Sequence, residues 1–318
     1  MAEQVFDFEK PIVEIEKMIE RLRELARHEG SGFDDQLKEL EQKLRERKEA
    51  IYTSLDPWQT VQLARHQQRP VLEDYVRLLT TDFIELHGDR RYSDDQAMMG
   101  GFATIDGQKI MLVGHSKGKS IEENVRRNFG SARPDGYRKA LRLMKIAEKY
   151  RLPVVTFIDT SGAYPGRDAE ERGQAEAIAR NLTEMARLQV PIICLVSGEG
   201  GSGGALGIGV GDVVLMLSHA IYSVISPEGC AGILWRDRSF AATAAEALKI
   251  TAPSLRELGV VDEVIPEPLG GAHQNHEATA QAIREVVVRH LVRLKKITPS
   301  KLVQQRFEKY SRIGTFNS

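Results

Sequence analysis

The chain is poor in cysteine, and its formal charges nearly cancel. Among 318 residues only Cys194, inside an apolar run, and Cys230, after an S-P-E-G turn, carry a thiol. Two thiols can build neither a disulfide framework nor a zinc cluster, so we expect both to be reduced and this chain to bind no metal. The 44 basic residues balance 45 acidic ones, which gives no whole-chain reason to expect nucleic acid or a membrane as partner.

Long apolar runs are missing as well. The longest uncharged stretches near the centre, 200–211 and 213–227, contain glycine, serine or histidine and are too short to span a bilayer. No basic-then-apolar signal opens the sequence, so we expect a cytoplasmic protein. With 42% hydrophobic residues, the chain can bury one large core and carry an appendage.

The first fifty residues differ from the rest, because 24 of them are charged. Apolar residues recur there at alternating spacings of four and three, which predicts an amphipathic helix, and a second stripe follows the break at 28–35. We expect residues 1–56 to form an N-terminal helical arm, either packed on its own domain or bound to a partner, and residues 57–318 to form the main domain. The first stripe consists of Phe8, Ile12, Ile15, Ile19 and Leu22.

The centre of the chain alternates between strand and helix patterns. The segments MGGFATID and QKIMLVGHSKG predict a hairpin around Asp106 and Gly107, followed by a helix from Asp135 to about Tyr150. The runs LPVVTFID and VPIICLVSG, with a helix predicted at about 168–189 between them, indicate a βαβ unit with parallel strands. Further helices are predicted near 239–250, 276–297 and 300–313, so the fold class is α/β.

Residues 198–211 hold eight of the 27 glycines, directly after the apolar run 190–197. Without a Cβ, such a strand-to-helix turn lets backbone N–H groups approach a ligand closely. The spacing of Gly198, Gly200 and Gly203 fits G-x-G-x-x-G, but the acid that a dinucleotide site requires about 20 residues further on is missing.

Two other interpretations of this glycine-rich loop remain. Gly200, Ser202 and Gly204 spell the nucleophile-elbow pattern G-x-S-x-G, although the pattern also occurs at Gly114. The second interpretation is an oxyanion cradle built from backbone N–H groups. It fits best, because residues 188–235 carry only three formal charges and fixed dipoles count for more in such a dry environment. Tight packing of helix against sheet would explain part of the same glycine content.

Several segments, in order along nearly the whole chain, closely resemble the carboxyltransferase alpha subunits of bacterial acetyl-CoA carboxylase. The resemblance also includes FDFEKPI near the N-terminus and the stretch 57–70. It implies a crotonase-like fold of repeated β-β-α units. The two apolar stripes of residues 1–56 add an N-terminal helical hairpin to this fold, with the alternative that these helices lie on another chain. The segments are 126–144, 157–166, 169–182, 198–212, 222–235 and 265–273.

The resemblance implies a reaction in which a carboxyl group passes from carboxybiotin on a carrier protein to acetyl-CoA, giving malonyl-CoA for fatty acid biosynthesis. The backbone N–H groups of Gly203 and Gly204 would hold the ureido oxygen of biotin, and Gly201 would border the substrate. Biotin's own ring nitrogen can then act as the base.

The same resemblance implies partners. A beta subunit would supply the other half of the site and a zinc ribbon, in an α2β2 complex that meets the biotin carboxyl carrier protein. ATP would be used by the partner biotin carboxylase, so this chain alone should be inactive. The alternative is a non-catalytic crotonase-like scaffold subunit.

The DTSGAYPG loop ends the first strand of the βαβ unit. Ligands gather at the carboxyl ends of parallel strands, so Gly162 and Ala163 should lie beside the glycine-rich loop. Tyr164 could wall a flat apolar group such as biotin or an acyl chain, or it could pack on the helix that follows.

The segment 115–145 holds nine basic residues against three acidic ones. Those at helical spacing, Arg138, Lys139, Arg142 and Lys145, are interpreted as a solvated helix face. Four others lie in or near the loop after a strand, where they could hold coenzyme A phosphates or an acidic partner surface. They are Lys117, Lys119, Arg126 and Arg127.

Overall fold

A computed structural model describes residues 5–29 and 32–314. The remaining residues lie outside the described part of the chain. They are 1–4 of the predicted arm, 30–31 of its predicted break and 315–318 of the predicted main domain.

Helices and strands alternate along most of the described chain. The strands are β1 (Thr81–Glu85), β2 (Met98–Ile105), β3 (Gln108–His115), β4 (Val154–Thr160), β5 (Ile192–Gly201), β6 (Val213–Leu217), β7 (Ile221–Ser223) and β8 (Glu263–Ile265). The α-helices are α1 (Lys10–Glu29), α2 (Asp34–Tyr52), α3 (Pro57–Ala64), α4 (Leu72–Leu79), α5 (Ile121–Arg126), α6 (Pro134–Lys149), α7 (Arg167–Glu171), α8 (Gln174–Arg187), α9 (Ser202–Leu206), α10 (Pro227–Leu234), α11 (Ala241–Ala247), α12 (Ala252–Glu257), α13 (His276–Leu294) and α14 (Pro299–Ser311). Short 3-10 helices lie at Asp7–Glu9, Asn128–Gly130 and Arg238–Phe240.

One sheet runs through the centre of the fold, in the order β1-β2-β3-β4-β5-β6-β8, with β7 paired to β5. The strands from β1 to β3 are antiparallel, and the pairs from β3 to β8 are parallel. The predicted hairpin is confirmed, since Asp106 (φ 45°) and Gly107 (φ 72°) turn the chain between β2 and β3 with the two positive φ angles that such a turn requires.

The predicted βαβ unit is confirmed, with two changes to its boundaries. The connection holds two helices, α7 and α8, because Gly173 adopts a left-handed conformation (φ 82°) between them. Strand β5 continues through Gly201, so the first four residues of the predicted glycine-rich loop, 198–201, belong to the strand. Every residue of β4 and β5 is buried, as expected for parallel strands covered on both faces.

The arm is an antiparallel helical hairpin, as predicted. Glu16 pairs with Lys48 at 2.7 Å, and Arg23 pairs with Glu41 at the same distance, so the start of α1 lies beside the end of α2. At its base, Phe6, Ile12 and Tyr52 pack against Leu63 of α3 in one apolar cluster. The hairpin therefore sits on its own chain, and the domain boundary at residue 56 stays a prediction.

None of the helices in the described part of the chain combines the length and the apolar character needed to cross a bilayer.

A buried ion pair ties the C-terminal helix α14 to the sheet. The side chain of Arg306 is 1% exposed and its Nη2 lies 2.8 Å from Asp212, which is 5% exposed, just before β6. Arg306 also donates to the carbonyl oxygens of Met185, in the last turn of α8, and of Leu188 and Val190, between α8 and β5, at 2.7–3.0 Å. This one guanidinium thus fixes the start of β5, the strand that ends in the glycine run.

We predict that Arg306→Met lowers the free energy of unfolding by about 3–5 kcal/mol, because it leaves a buried carboxylate without its partner. Urea denaturation followed by circular dichroism measures the change. Arg312→Met is the matched control, since Arg312 is 80% exposed and lies 3.9 Å from Glu308. Equal effects of the two substitutions would contradict this role for Arg306.

Candidate functional site

The loops that follow β4 and β5 touch each other through their backbones. A Cβ built on Gly201 would lie 2.1 Å from the carbonyl oxygen of Ser161, and one built on Gly204 would lie 2.4 Å from the amide nitrogen of Ala163. Both distances are far below contact distance, so only glycine fits at these two positions. The structure thus brings the predicted residues Gly162 and Ala163 against Gly201 and Gly204.

Gly203 differs from its neighbours because space is open beside it. A Cβ there would meet only the Cδ1 atom of Ile178, at 3.9 Å. Gly203 and Gly204 lie in the first turn of α9, whose N–H groups have no acceptor within a helix, and no side chain caps this helix. Packing therefore explains Gly201 and Gly204 but does not explain Gly203.

Ser202 turns the chain from β5 into α9 within one residue. Its φ of 50° is left-handed, which is unfavourable for a side chain other than glycine. A nucleophile elbow strains its serine at the same kind of junction, so the backbone alone does not separate that interpretation from an oxyanion cradle.

Tyr164 is held in place by its own chain. Its amide donates to the carbonyl oxygen of Ala132 at 3.0 Å, and the guanidinium of Arg133 lies 4.4 Å from the centre of its ring. The ring also folds over Gly166, where a Cβ would lie 2.2 Å from Cε1. The half-buried tyrosine therefore packs on the turn that follows it, and any ligand would meet only the part of the ring left open.

A cavity of about 830 Å³ lies at the carboxyl ends of β3, β4 and β5. We refer to it as the large cavity. Of the residues predicted for the site, it brings Lys117 and Lys119 to its wall, together with Asp159, Ser161 and Glu199. Gly203 and Gly204 do not line it. The predicted oxyanion donors and the large cavity both lie at this edge of the sheet and do not coincide.

The predicted basic residues do not form one cluster. Lys117 pairs with Asp159 at 2.6 Å and Lys119 with Asp74 at 2.5 Å, while Arg127 pairs with Glu73. Arg126 instead lines a separate cavity of about 330 Å³ beside Arg133, Asp135 and Asp168. Most of the local positive charge is thus balanced within this chain.

The interpretation of the α6 basic residues as a solvated face was wrong for Arg138 and Lys139, whereas Lys145 is exposed as predicted. Lys139 is 1% exposed and binds Asp94 at 2.6 Å, and Arg138 binds Asp89 at 2.8 Å. These acids lie in the segment before β2, far away in sequence, so helical spacing could not reveal the pairing.

Sequence analysis missed a charged residue that reaches the end of β5. Arg65, just after α3, binds Glu199 at 2.7 Å and Glu228 at 2.6 Å. Burial by itself raises the pKa of Glu228, but the hydrogen bond and charge of Arg65, together with local hydrogen bonds, lower it overall. Asp159 accepts the backbone N–H of Glu199 at 3.0 Å. Asp159 is the first residue of the DTSG sequence at the end of β4, and this position was a signal in the sequence for its role. The sequence holds no such signal for Arg65.

A buried ion pair lies at the wall of the large cavity. Arg69 forms a two-pronged pair with Glu267, at 2.6 and 2.9 Å. Although burial alone raises the pKa of Glu267, Arg69 holds this pKa well below its usual range.

His273 stacks on His66 at the same cavity, with ring centres 4.0 Å apart. Burial, followed by the nearby charge of His66 and Arg69, lowers the pKa of His273 to about 3. His273 is therefore neutral at pH 7.

Within 5–29 and 32–314, no group of three or more histidine, cysteine, aspartate or glutamate side chains is placed to hold a metal ion.

Several solved structures have a similar fold, each of those named here at less than 20% sequence identity. They include transcarboxylase 12S (17% identity, TM-score 0.54, 79% of this chain and 43% of that chain). Another is the beta subunit of Pseudomonas aeruginosa geranyl-CoA carboxylase (13% identity, TM-score 0.56, 83% of this chain and 48% of that chain). A third is a Pseudomonas malonate decarboxylase hetero-tetramer in complex with coenzyme A (16% identity, TM-score 0.57, 70% of this chain and 90% of that chain).

These similarities concern the fold alone, and they confirm the predicted crotonase-like α/β class. The chain spans less than half the length of the transcarboxylase and geranyl-CoA carboxylase chains that it matches.

Sequence comparison is more specific. Residues 5–314 match the family model described as acetyl co-enzyme A carboxylase carboxyltransferase-like. A relative from Halorhodospira halophila is 54% identical over 314 residues, covering 99% of both chains, and one from Vibrio cholerae is 52% identical over 317 residues with the same coverage. Both are named acetyl-coenzyme A carboxylase carboxyl transferase subunit alpha. The chain belongs to this family of carboxyl transferase alpha subunits.

Proposed function

We propose that this chain is the alpha half of a biotin-dependent carboxyltransferase that moves a carboxyl group from carboxybiotin to acetyl-CoA, giving malonyl-CoA. The observation that carries the proposal is the open turn at Gly203, where Gly203 and Gly204 supply two successive N–H groups without helical acceptors and Gly204 packs against Gly162 and Ala163. Membership of the alpha-subunit family supports the choice of reaction.

The residues present fit a planar, uncharged ring with one carbonyl oxygen. Gly203 leaves free space where any other residue would place a Cβ, and the neighbouring backbone of Gly162 and Ala163 closes one side. Bound biotin supplies the carboxyl carrier and a ring nitrogen that can take a proton. The N–H groups of Gly203 and Gly204 would hold the ureido oxygen as negative charge develops on it, which requires fixed donors and no side-chain base.

The remaining half of the site would come from a partner. We assign it to a beta subunit that carries a zinc ribbon, in an α2β2 complex that receives biotin on its carrier protein from an ATP-dependent biotin carboxylase in the cytoplasm. Two observations support a second crotonase-like subunit: similar single-chain proteins are about twice as long, and a similar malonate decarboxylase is described as a hetero-tetramer.

Lys117 and Lys119 would contribute to binding of the coenzyme A phosphates from the wall of the large cavity. Lys119 is the better placed of the two, since its side chain is 56% exposed while that of Lys117 is 21% exposed. Arg127 supports this loop by donating to the carbonyl oxygen of Lys117 at 3.0 Å. Arg126, on the separate cavity, would serve as a contact for an acidic partner surface.

The first prediction from the proposed function concerns Gly203. In the complex with a beta subunit, Gly203→Val should lower kcat for malonyl-CoA-dependent carboxylation of biocytin by about 10²–10³-fold, because its side chain blocks the approach to the N–H donors. Assembly, measured by size-exclusion chromatography, should be unchanged since the side chain has room. Gly204→Ala, in contrast, should destabilise the chain itself, because its Cβ would collide with Ala163.

Gly232→Val in α10 is the matched control, because a Cβ there likewise meets only one atom, at 3.9 Å. This control should keep full activity. If Gly203→Val assembles and turns over at the rate of the control, the loop only packs and the chain is a scaffold.

The second prediction concerns Lys119. Lys119→Ala should raise the KM for malonyl-CoA severalfold at low salt, as expected for loss of one exposed charge contact to phosphate, and leave kcat unchanged. Lys43→Ala, which removes an exposed pair with Glu39 on the arm, is the control. An unchanged KM together with weaker assembly would show that Lys119 contacts the partner and not the phosphates.

A further inference from the structure

A row of three charged residues crosses the carboxyl ends of β3, β4 and β5. Lys117, two residues after β3, places its Nζ 2.6 Å from Oδ1 of Asp159 in β4. The same oxygen accepts the backbone N–H of Glu199 in β5 at 3.0 Å. The row lies directly below the two loops that form the proposed site.

Arg65 extends this row beyond the sheet. Its Nη2 lies 2.7 Å from Oε1 of Glu199, and its Nη1 lies 2.6 Å from Oε1 of Glu228 in the first turn of α10. The Glu199 side chain is only 8% exposed, whereas those of Arg65 and Glu228 are 29% and 34% exposed. Arg65 is thus an ion-pair partner of a nearly buried carboxylate.

Glu199 lies next to the part of β5 that contacts the loop after β4. Glu199 immediately precedes Gly200, which pairs with Thr160 of β4 on one side and with Tyr222 of β7 on the other. The next residue, Gly201, touches the carbonyl oxygen of Ser161. A shift of Glu199 would therefore also displace Gly200 and Gly201, and with them the backbone contact between Gly201 and Ser161.

We propose that Arg65 is a positioning residue for carboxyl transfer: by holding Glu199 and Glu228 together, it fixes the end of β5 so that the N–H groups of Gly203 and Gly204 keep their direction. This inference rests on the proposed function. Arg65 acts through Glu199 and Glu228 and not on the reacting atoms.

The consequence of losing Arg65 follows from burial. Glu199 would be left as a charged group with little access to water, which is strongly unfavourable, so it would move toward solvent or take up a proton. Either change disturbs the strand end. A displacement of about 1 Å at a catalytic group can cost roughly 10²-fold in rate, so the effect should appear mainly in kcat.

The test uses the assembled complex and two variants. Arg65→Gln should lower kcat for biocytin carboxylation by about 10–100-fold with little change in the KM for biocytin, and should also lower the melting temperature. The double variant Arg65→Gln/Glu199→Gln leaves Glu199 no charge to bury, so its melting temperature should recover while kcat stays low. Arg23→Gln, which removes an ion pair with Glu41 on the arm, is the control and should match the wild type.

Three results would overturn the inference. One is a kcat for Arg65→Gln within twofold of the wild type, another is recovery of kcat together with the melting temperature in the double variant, and the third is a raised KM with an unchanged kcat. An inactive wild-type complex would instead contradict the proposed function, so the two failures can be told apart.

Discussion

The proposed site depends on one backbone contact, between the turn after β4 and the end of β5. Gly201 touches Ser161, and Gly204 touches Ala163, so closely that no side chain fits at either glycine. Because the two strands are parallel neighbours, their carboxyl ends meet at one edge of the sheet, and this contact sets the direction in which α9 begins. The open position at Gly203 and the left-handed Ser202 both follow from it.

Charge holds the surrounding elements at this edge, and it does so mostly through partly or fully buried pairs. Arg69 with Glu267, Arg65 with Glu199, and Lys117 with Asp159 each join segments that are far apart in sequence. Such pairs add little net stability compared with apolar packing, yet leaving one member alone is costly. They therefore fix geometry more than they strengthen the fold, which suits a site whose donors are backbone groups.

The sequence predicted those parts of the structure that depend on local chemistry. The turn residues Asp106 and Gly107 predicted the hairpin, and the helical period of apolar residues predicted the arm. The two apolar runs predicted the parallel strands. The contact of Gly162 with the glycine-rich loop could also be predicted, because the strand order in a βαβ unit is strongly constrained.

Features that depend on distant partners could not be predicted in this way. Arg65 and Glu199 are 134 residues apart, and nothing near either residue indicates the other. Lys139 was mistaken for a surface residue because its partner, Asp94, lies 45 residues away. The break at Gly173 was also missed, since the flanking residues continue a helical pattern. Whether Gly203 and Gly204 bind the ureido oxygen stays a prediction.

The central claim is that this chain holds half of a divided carboxyltransferase site. The most direct measurement is malonyl-CoA-dependent carboxylation of free biocytin by this chain alone, by a beta subunit alone and by their mixture. The account predicts activity only in the mixture. Activity of this chain alone, or none in a complex whose assembly has been verified, would contradict it.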